Sequence, residues 1–370
     1  MPRHTAPLGI AAIAVHQPAW HLENGWFGDA MPRKFGHHTG IEARGISTAD
    51  EVTMGLHAVR VLERETGCDP ARGRGLVFVS PCFFPPTVAR RHLPPEAVAR
   101  ERPSWAARRL AVALGLTKCR TAGLNWFCCG YSRALAFVLG RWARHLVLRS
   151  DAHVHVVVAT RISRITDYGC GQTAGLFGDM ASATLLAPTS SRRHPVPFVI
   201  VRARAERVPA ERPYVDFQVR DGVPVPRPDG GMHREARRLV YSLDGMGIAE
   251  TAPRAMAAAV AGGLAAAGIK GDEVRFVVPH QAGAGIVRFT GMQLEGHGVR
   301  CEIVNGLTRR TGNGSACSVP HALHHEWDRL RGLVACPTAA VGAPGRAEVL
   351  QGCVLLRATA VHERRAGLAA

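Results

Sequence analysis

Two adjacent cysteines stand where a strand pattern changes into a helix pattern, in the segment TAGLNWFCCGYSRAL that runs from Thr121 to Leu135. A cysteine just after a buried strand, at the first turn of a helix, is well placed to act as a nucleophile. The free N–H groups and the dipole of the helix stabilise a thiolate there and lower its pKa. The sharp turn also holds the sulfur out of the sheet. The alternative is that Cys128 and Cys129 both pack in the core, and their position alone favours that alternative.

Two further polar residues stand next to apolar segments. His280 follows a strand pattern in VVPHQAG, and Asn313 lies between Gly312 and Gly314 just before a helix pattern. Catalytic groups of α/β proteins gather at the carboxyl ends of strands, so Cys128, His280 and Asn313 are expected to meet there. Taken alone, His280 is typical of a core histidine that donates to a carbonyl. The three residues around Asn313 are likewise typical of a turn, since both residue types tolerate positive φ.

Apolar runs and helical spacings alternate along the chain, which favours an α/β protein with layered, partly parallel sheets. Strands are predicted at Leu8–Val15, Gly75–Ser80, Cys119–Phe127, His153–Thr160, Ala181–Ala187, Phe198–Arg204, Val274–Val278, Cys301–Val304 and Val349–Ala358. Helices are predicted at Val52–Thr66, Trp105–Leu116, Gly130–Leu148, Pro253–Ala267, Gly285–Leu294 and Ser315–Leu330. The segment PTSSRRHPVP indicates a junction between two halves, and Pro85–Arg102 an irregular or helical insertion.

The composition is that of an ordinary globular protein, with 46% hydrophobic and 20% charged residues in a chain of 370. Ten cysteines without a CxxC pair argue against a zinc ribbon and a disulfide scaffold, and favour buried thiols in a reducing cytoplasm. The apolar runs are too short to cross a bilayer. The start of the chain favours a buried strand over a signal peptide.

The net charge of +17 favours acidic partners, such as a phosphate-bearing cofactor or an acidic carrier protein. The basic residues are spread along the chain and no nucleic-acid-reading motif accompanies them, so neither nucleic acid nor a membrane is predicted as a partner. His321 and His325 in HALHHE have the spacing of a metal-binding pair, but an exposed helix face is the preferred interpretation, and no metal ligand is assigned.

Four segments occur in one order: FCCGYSRAL, FGDMASA, PHQA and GNGSACSVP, preceded by HTGIEARGIS. Together they resemble the type III β-ketoacyl synthases (KAS III) of the thiolase-like superfamily, over nearly the whole chain. The resemblance implies an α/β thiolase-like fold in which two duplicated βα halves form five layers, α-β-α-β-α. The expected halves are residues 1–188, which carry the nucleophile and the insertion near 85–102, and residues 189–370, which carry the histidine and the asparagine.

The same resemblance assigns roles to residues of this chain. It makes Cys128 the nucleophile, Cys129 a small packing residue, and His280 and Asn313 the other members of a Cys-His-Asn triad. Asp179 is expected to brace loops. Support for an oxyanion hole is expected from three glycines, which are Gly312, Gly314 and, in the late loop VGAPGRAE, Gly345.

Several family features are altered in this chain. Lys34 and His38 stand where the family has a tryptophan and an arginine that sandwich the adenine of coenzyme A, and Gly283 and Gly285 replace an asparagine and an arginine. Lys34, His38 and Gln281 are nevertheless predicted to contact substrate. These departures favour a specialised enzyme over a housekeeping initiator of fatty-acid synthesis.

The predicted activity is acylation of Cys128 followed by decarboxylative Claisen condensation with a malonyl-type thioester, in polyketide or fatty-acid-like metabolism. The alternative is an acyltransferase that moves the acyl group to an oxygen, nitrogen or sulfur nucleophile, and a third possibility is a silent subunit of a heteromeric synthase. The expected substrates are acyl-coenzyme A or phosphopantetheine-carrier thioesters, without a bound cofactor. The expected partners are an acidic acyl carrier protein and a second copy of the chain.

Overall fold

The computed structural model describes residues 8–116, 118–146 and 152–363. The strands are β1 Leu8–His16, β2 His21–Glu23, β3 Ala43–Gly45, β4 Gly75–Val79, β5 Arg120–Leu124, β6 Val154–Thr160, β7 Met180–Pro188, β8 Phe198–Pro209, β9 Val215–Pro226, β10 Met232–Leu243, β11 Val274–Val277, β12 Glu302–Ile303, β13 Leu333–Val341 and β14 Glu348–Ala358. The helices are α1 Phe35–Thr39, α2 Glu51–Thr66, α3 Pro86–His92, α4 Pro95–Arg100, α5 Pro103–Ala113, α6 Gly130–Arg141, α7 Ala143–Leu146, α8 Gly171–Ala174, α9 Gly245–Ala265, α10 Ala284–Gly296 and α11 Ser318–His325.

The main sheet repeats one topology twice. Its first half has the strand order β5-β4-β6-β7-β1 and its second half the order β12-β11-β13-β14-β8. In each half the first three strands pair in parallel. The fourth strand pairs antiparallel with the third, and the fifth pairs antiparallel with the fourth. The halves meet at β1 and β8, where Gly9 pairs with Val199 and Ile10 with Phe198. The predicted duplication is therefore confirmed, while the domain boundary between residues 188 and 189 stays a prediction.

Helices form three layers around these two half-sheets. The outer helices α2 and α5 pack on the first half, and α9 and α10 cover the second. The central helices α6 and α11 lie between the halves, in a core cluster that takes residues from both. β4 and β6 are buried along their whole length, which is why they are apolar at almost every position. The predicted five-layered α-β-α-β-α architecture is confirmed.

The sequence patterns missed a long hairpin and one central strand. β9 and β10 pair from Val215 and Leu243 at one end to Pro226 and Met232 at the other. The outer part of β10 is exposed and rich in arginine, so it lacks the apolar alternation of a half-buried strand. β13 was not predicted because it contains Pro337, and proline is normally absent from central strands.

Several predicted helices have different bounds in the structure, whereas the insertion at 85–102 has one of its two predicted forms, with the short helices α3 and α4. α9 begins at Gly245, ahead of the predicted start at Pro253, and contains that proline. The helix predicted to run to residue 330 ends at His325. The last residues of the helix predicted for 130–148 lie outside the described part of the chain. Within that part, every helix is too short or too polar to span a membrane.

Candidate active site

Cys128 lies in a tight turn between β5 and α6. The turn is a 3-10 helix, Phe127–Cys129, and Phe127 has a φ of 43°, a conformation that costs a side-chain-bearing residue about 1–3 kcal/mol. The Sγ of Cys128 is half-buried and lies 3.3 Å from the Oγ of Ser315. Cys129 is fully buried beside Ala340. The two cysteines thus differ as predicted in placement: one faces a partly open site and the other packs in the core.

His280 follows β11 and is almost completely buried, with 2% of its surface exposed. Its backbone N–H donates to the carbonyl of Pro337 at 2.8 Å, and its Nδ1 lies 2.5 Å from the Oγ of Ser318, the first residue of α11. Burial lowers the pKa of His280 to about 4, so the ring is neutral at physiological pH. The amide of Gln281 donates to the carbonyls of Pro279 and Val304, each at 3.0 Å.

Asn313 is held by the backbone of the FGDMASA segment. Its N–H donates to the carbonyl of Leu176 at 2.9 Å, and its carbonyl accepts from the N–H of Gly178 at 3.1 Å. The side-chain Oδ1 of Asn313 accepts from the N–H of Ser315 at 2.8 Å. This bond orients the amide, because the oxygen faces the following turn and the nitrogen is the atom left to donate.

The glycines on either side of Asn313 are required by close packing. A Cβ at Gly314 would lie 2.3 Å from the Sδ of Met180. Gly312 has a φ of 70°, which favours glycine, and a Cβ there would lie 2.8 Å from the Cβ of Arg44. Their part in the site is therefore to let the loop of Asn313 approach the neighbouring segment.

One apolar cavity joins the three predicted catalytic residues. Cys128, His280 and Asn313 all line it, and it encloses about 720 Å³ of empty space including its open mouth. Its other walls are almost entirely hydrophobic; they come from Pro81, Phe127, Ile162, Ile165, Leu176, Phe177, Val215, Phe217, Tyr241, Leu243, Ile248, Ala252, Ala282, Ile286, Ser315, Ala339, Ala340 and Val341. The inner end of the β9–β10 hairpin thus forms one wall of the cavity.

The predicted low pKa of the nucleophile is wrong for this structure. Burial raises the pKa of the Cys128 thiol to about 11, although the hydrogen bond with Ser315 acts in the opposite direction. The apolar walls disfavour the charged form more than the helix entrance and the hydroxyl favour it. Cys128 is therefore a neutral thiol at pH 7, beside a neutral imidazole.

Other predicted site residues lie outside the cavity. Lys34 and His38 are exposed at the two ends of α1, and their contacts with substrate remain predictions. Gly345 is exposed in the turn between β13 and β14, and its part in an oxyanion hole remains a prediction. Gln281 is buried and bonded to two backbone carbonyls, so its contacts are those of a brace for the His280 loop rather than of a substrate ligand.

The glycines that depart from the family pattern pack against α1. A Cβ at Gly285 would lie 3.0 Å from the carbonyl oxygen of His38, and Gly283 lies beside Thr39 with a φ of 129°. The absence of side chains at these two positions lets α1 approach α10 directly. The altered residues at 38, 283 and 285 are therefore neighbours in space.

Asp179 links three segments that surround the site. Its carboxylate accepts from the N–H of Ser47 at 2.8 Å, and from the N–H and the Oγ of Ser163 at 3.0 Å and 2.6 Å. Burial raises the pKa of Asp179 to about 6, while these hydrogen bonds lower it. The contacts are those of a loop brace, as the sequence predicted.

The sequence reasoning missed two serines that contact the candidate triad. Ser315 bonds to both Cys128 and Asn313, and Ser318 bonds to His280. Both stand in GNGSACSVP, two and five residues after Asn313. Ser315 also has a φ of 50°, which is rare for a residue with a side chain and is typical of functional turns. The two serines could have been found from the sequence, because they stand in the same short motif as Asn313, which was a candidate residue.

Comparisons with known proteins agree with this arrangement. Residues 264–342 match the family model described as 3-oxoacyl-[acyl-carrier-protein (ACP)] synthase III C terminal. The chain is 26% identical to β-ketoacyl-[acyl-carrier-protein] synthase III of Geobacillus kaustophilus, over 78% of each chain. It is also 26% identical to the enzyme of the same name from Rhodobacter capsulatus, over 85% of this chain and 88% of the relative.

The fold is shared with solved structures of related enzymes. The priming β-ketosynthase from the R1128 polyketide biosynthetic pathway superposes with a TM-score of 0.63 at 22% identity, over 95% of this chain and 97% of that one. The family model and the relatives point to the same family, so the chain is similar to the β-ketoacyl synthases III, and it has the thiolase-like fold of their solved structures.

Proposed function

We propose that this protein is a condensing enzyme in which Cys128 carries an acyl group while His280 and Asn313 activate a malonyl-type extender. The observation that carries the proposal is the convergence of these three side chains, from separate elements, on one apolar cavity of about 720 Å³. An apolar cavity that ends at a cysteine suits an acyl chain attached through a thioester.

In the first step the sulfur of Cys128 attacks the carbonyl carbon of an acyl thioester. The carrier thiol leaves, and the proton of the Cys128 thiol ends on that leaving group. Because burial keeps the thiol protonated at pH 7, the step depends on proton removal as substrate enters. The product is an acyl-enzyme whose chain lies along the hydrophobic wall formed by the β9–β10 hairpin.

In the second step a malonyl-type thioester loses carbon dioxide. The electrons of the broken bond form an enolate, whose oxygen needs hydrogen-bond donors in a preorganised site. We assign this task to the Nε2–H of His280 and the amide N–H of Asn313. The Oγ of Ser318 accepts from the N–H of Gln281 at 3.3 Å, so we assign its own proton to the bond with the Nδ1 of His280. The single proton of the neutral ring is then on Nε2. The enolate carbon then attacks the acyl group on Cys128 and expels the sulfur as a thiolate.

The same comparison supports a proposal for the substrates and partners. The relatives are named as acyl-carrier-protein synthases, and one structural neighbour primes a polyketide pathway. We propose a carrier-protein or coenzyme A thioester as acyl donor, an acidic carrier as partner of the basic surface, and a role in polyketide or fatty-acid-like metabolism. The protein is expected to work as a homodimer, which light scattering tests.

The test separates condensation from its two rivals. The protein is incubated with a panel of acyl thioesters, and intact mass together with peptide mapping should place the acyl group on Cys128. Addition of a malonyl-carrier thioester should then release carbon dioxide and form a 3-oxoacyl product. Cys128→Ser should abolish acylation, whereas Cys129→Ser, which alters the adjacent buried thiol, should retain it. Acylation without carbon dioxide release would favour the acyltransferase, and no acylation at all would favour a silent subunit.

The variants Asn313→Ala and His280→Ala distinguish the acylation step from the decarboxylation step. Both variants are expected to retain acylation and to slow decarboxylation by about 10²–10³-fold, the loss typical of one oxyanion donor. Equal loss of both steps would contradict the roles assigned here.

A further inference from the structure

Three side chains of the types that bind metal ions lie close together in space, although they are far apart in the sequence. Cys68 follows the end of α2, His153 directly precedes β6, and His194 lies in the segment between β7 and β8. One ligand atom from each lies within 4.8 Å of the others. The Sγ of Cys68 is 3.6 Å from the Nε2 of His153. At 1%, 2% and 5% exposure, all three are buried, and none of them lines the cavity at Cys128.

Neighbouring imidazoles carry polar atoms that lack hydrogen-bond partners among the described residues. These atoms are the Nε2 of His194 and both ring nitrogens of His155, which is 1% exposed. His155 stands two residues after His153 on β6, and so on the same face. The ring of His153 lies 5.1 Å from that of His155 and 4.9 Å from that of His194. Buried polar atoms without a partner are rare in native proteins, so these nitrogens favour a ligand close to the cluster.

We propose that Cys68, His153 and His194 bind a zinc ion through three protein ligands and one water. A thiolate with two neutral imidazoles is a donor set that Zn²⁺ prefers, at about 2.3 Å for sulfur and 2.0–2.1 Å for nitrogen. Ligand atoms already within 4.8 Å of one another can reach these distances by small side-chain adjustments. Water can supply the fourth ligand from the adjacent groove. His153 lines this groove together with Asp69 and with four basic side chains, which are Arg72, Arg74, Lys118 and Arg193.

Binding exchanges one proton for the metal ion. The thiol of Cys68 releases its proton to solvent as the Zn–S bond forms, while both imidazoles bind in their neutral form. The positive charge of Arg193 disfavours a metal ion at this thiol, whereas the negative charges of Asp69 and Glu63 favour it.

A metal here would connect three segments that are distant in the sequence. It would tie the end of α2 and the start of β6 to the segment of 189–197 that leads into the second half. The carboxyl ends of β4 and β6 face the catalytic cavity, and His153 stands at the opposite end of β6. The ion would therefore stabilise the fold without taking part in the reaction proposed for Cys128.

The experiment measures metal in the full-length protein by mass spectrometry, after equilibration with zinc and dialysis. We expect one zinc per chain, and less than about a tenth of that in Cys68→Ser and His194→Gln. Cys119→Ser, which removes a half-buried thiol outside the cluster, should retain zinc. Wild-type protein without zinc, a different bound metal, or equal zinc in wild type and Cys68→Ser would overturn the proposal.

A second measurement applies if the variants fail to fold. Cobalt replaces zinc in Cys128→Ser protein, whose remaining buried thiols include Cys68. A thiolate-to-cobalt charge-transfer band together with visible bands of tetrahedral cobalt supports the site, and a spectrum of octahedral cobalt without a sulfur band overturns it. Because Cys128 is absent from this protein, the outcome is independent of the proposed condensation.

Discussion

The raised pKa of the nucleophile leads to a prediction about its reactivity. With a pKa of about 11, about one Cys128 side chain in 10⁴ is a thiolate at pH 7, and about one in 10² at pH 9. Because the thiolate is the reactive form, alkylation of Cys128 in the free protein should accelerate about 100-fold between these two pH values. A thiol of ordinary pKa near 8.5 accelerates about 25-fold over the same range, and a thiolate stabilised at a helix entrance hardly at all.

The assay is alkylation by iodoacetamide under pseudo-first-order conditions, with the modification of Cys128 quantified by peptide mass spectrometry. A short peptide with blocked ends and one cysteine, in the same buffers, provides the reference for an ordinary thiol. His280→Ala should show the same slope as wild type, because the imidazole, with a pKa of about 4, is neutral across the whole range. A rate that is flat from pH 7 to 9 in wild type and becomes steep in His280→Ala would refute the reasoning. It would show a thiolate–imidazolium pair instead.

Three further substitutions test how the site is held. Ser318→Ala should slow carbon dioxide release about tenfold without changing acylation, because only the orientation of the imidazole is lost. Ser318→Thr, which keeps the hydroxyl, should release carbon dioxide at the wild-type rate. Phe217→Ala should shift acyl-chain preference toward longer or bulkier groups in competition assays, whereas Phe289→Ala at an exposed position should leave it unchanged. Gly314→Ala should lower the free energy of unfolding by about 1–3 kcal/mol, which is measured as a lower melting temperature. Gly140→Ala is the control, because its added Cβ meets no neighbouring atom within 4 Å and should not lower the stability. Equal effects of the two substitutions would contradict the packing argument.

Local chemistry was enough to predict most of the elements that carry the site. Buried strands such as β4 and β6 are apolar on both faces, and the turns that follow them have short motifs, so their order along the chain could be predicted. Cys128, His280 and Asn313 could be singled out because each follows or precedes such an element, and the resemblance to the type III synthases then implied their roles. The hairpin β9–β10 could not be predicted, since its partly solvated strands have no regular apolar pattern, yet it forms a wall of the cavity.

The amino-acid sequence by itself determined which residue types stand at the ends of which elements, and so the identity of the candidate triad. Only the tertiary structure decided their electrostatic state, because desolvation of Cys128 and His280 depends on side chains that are distant in the sequence. The contacts of Ser318 with His280, and the convergence of Cys68 with His194, have the same origin. Periodicity and spacing report on a few neighbouring residues, whereas contacts between distant segments exist only once the layers have packed.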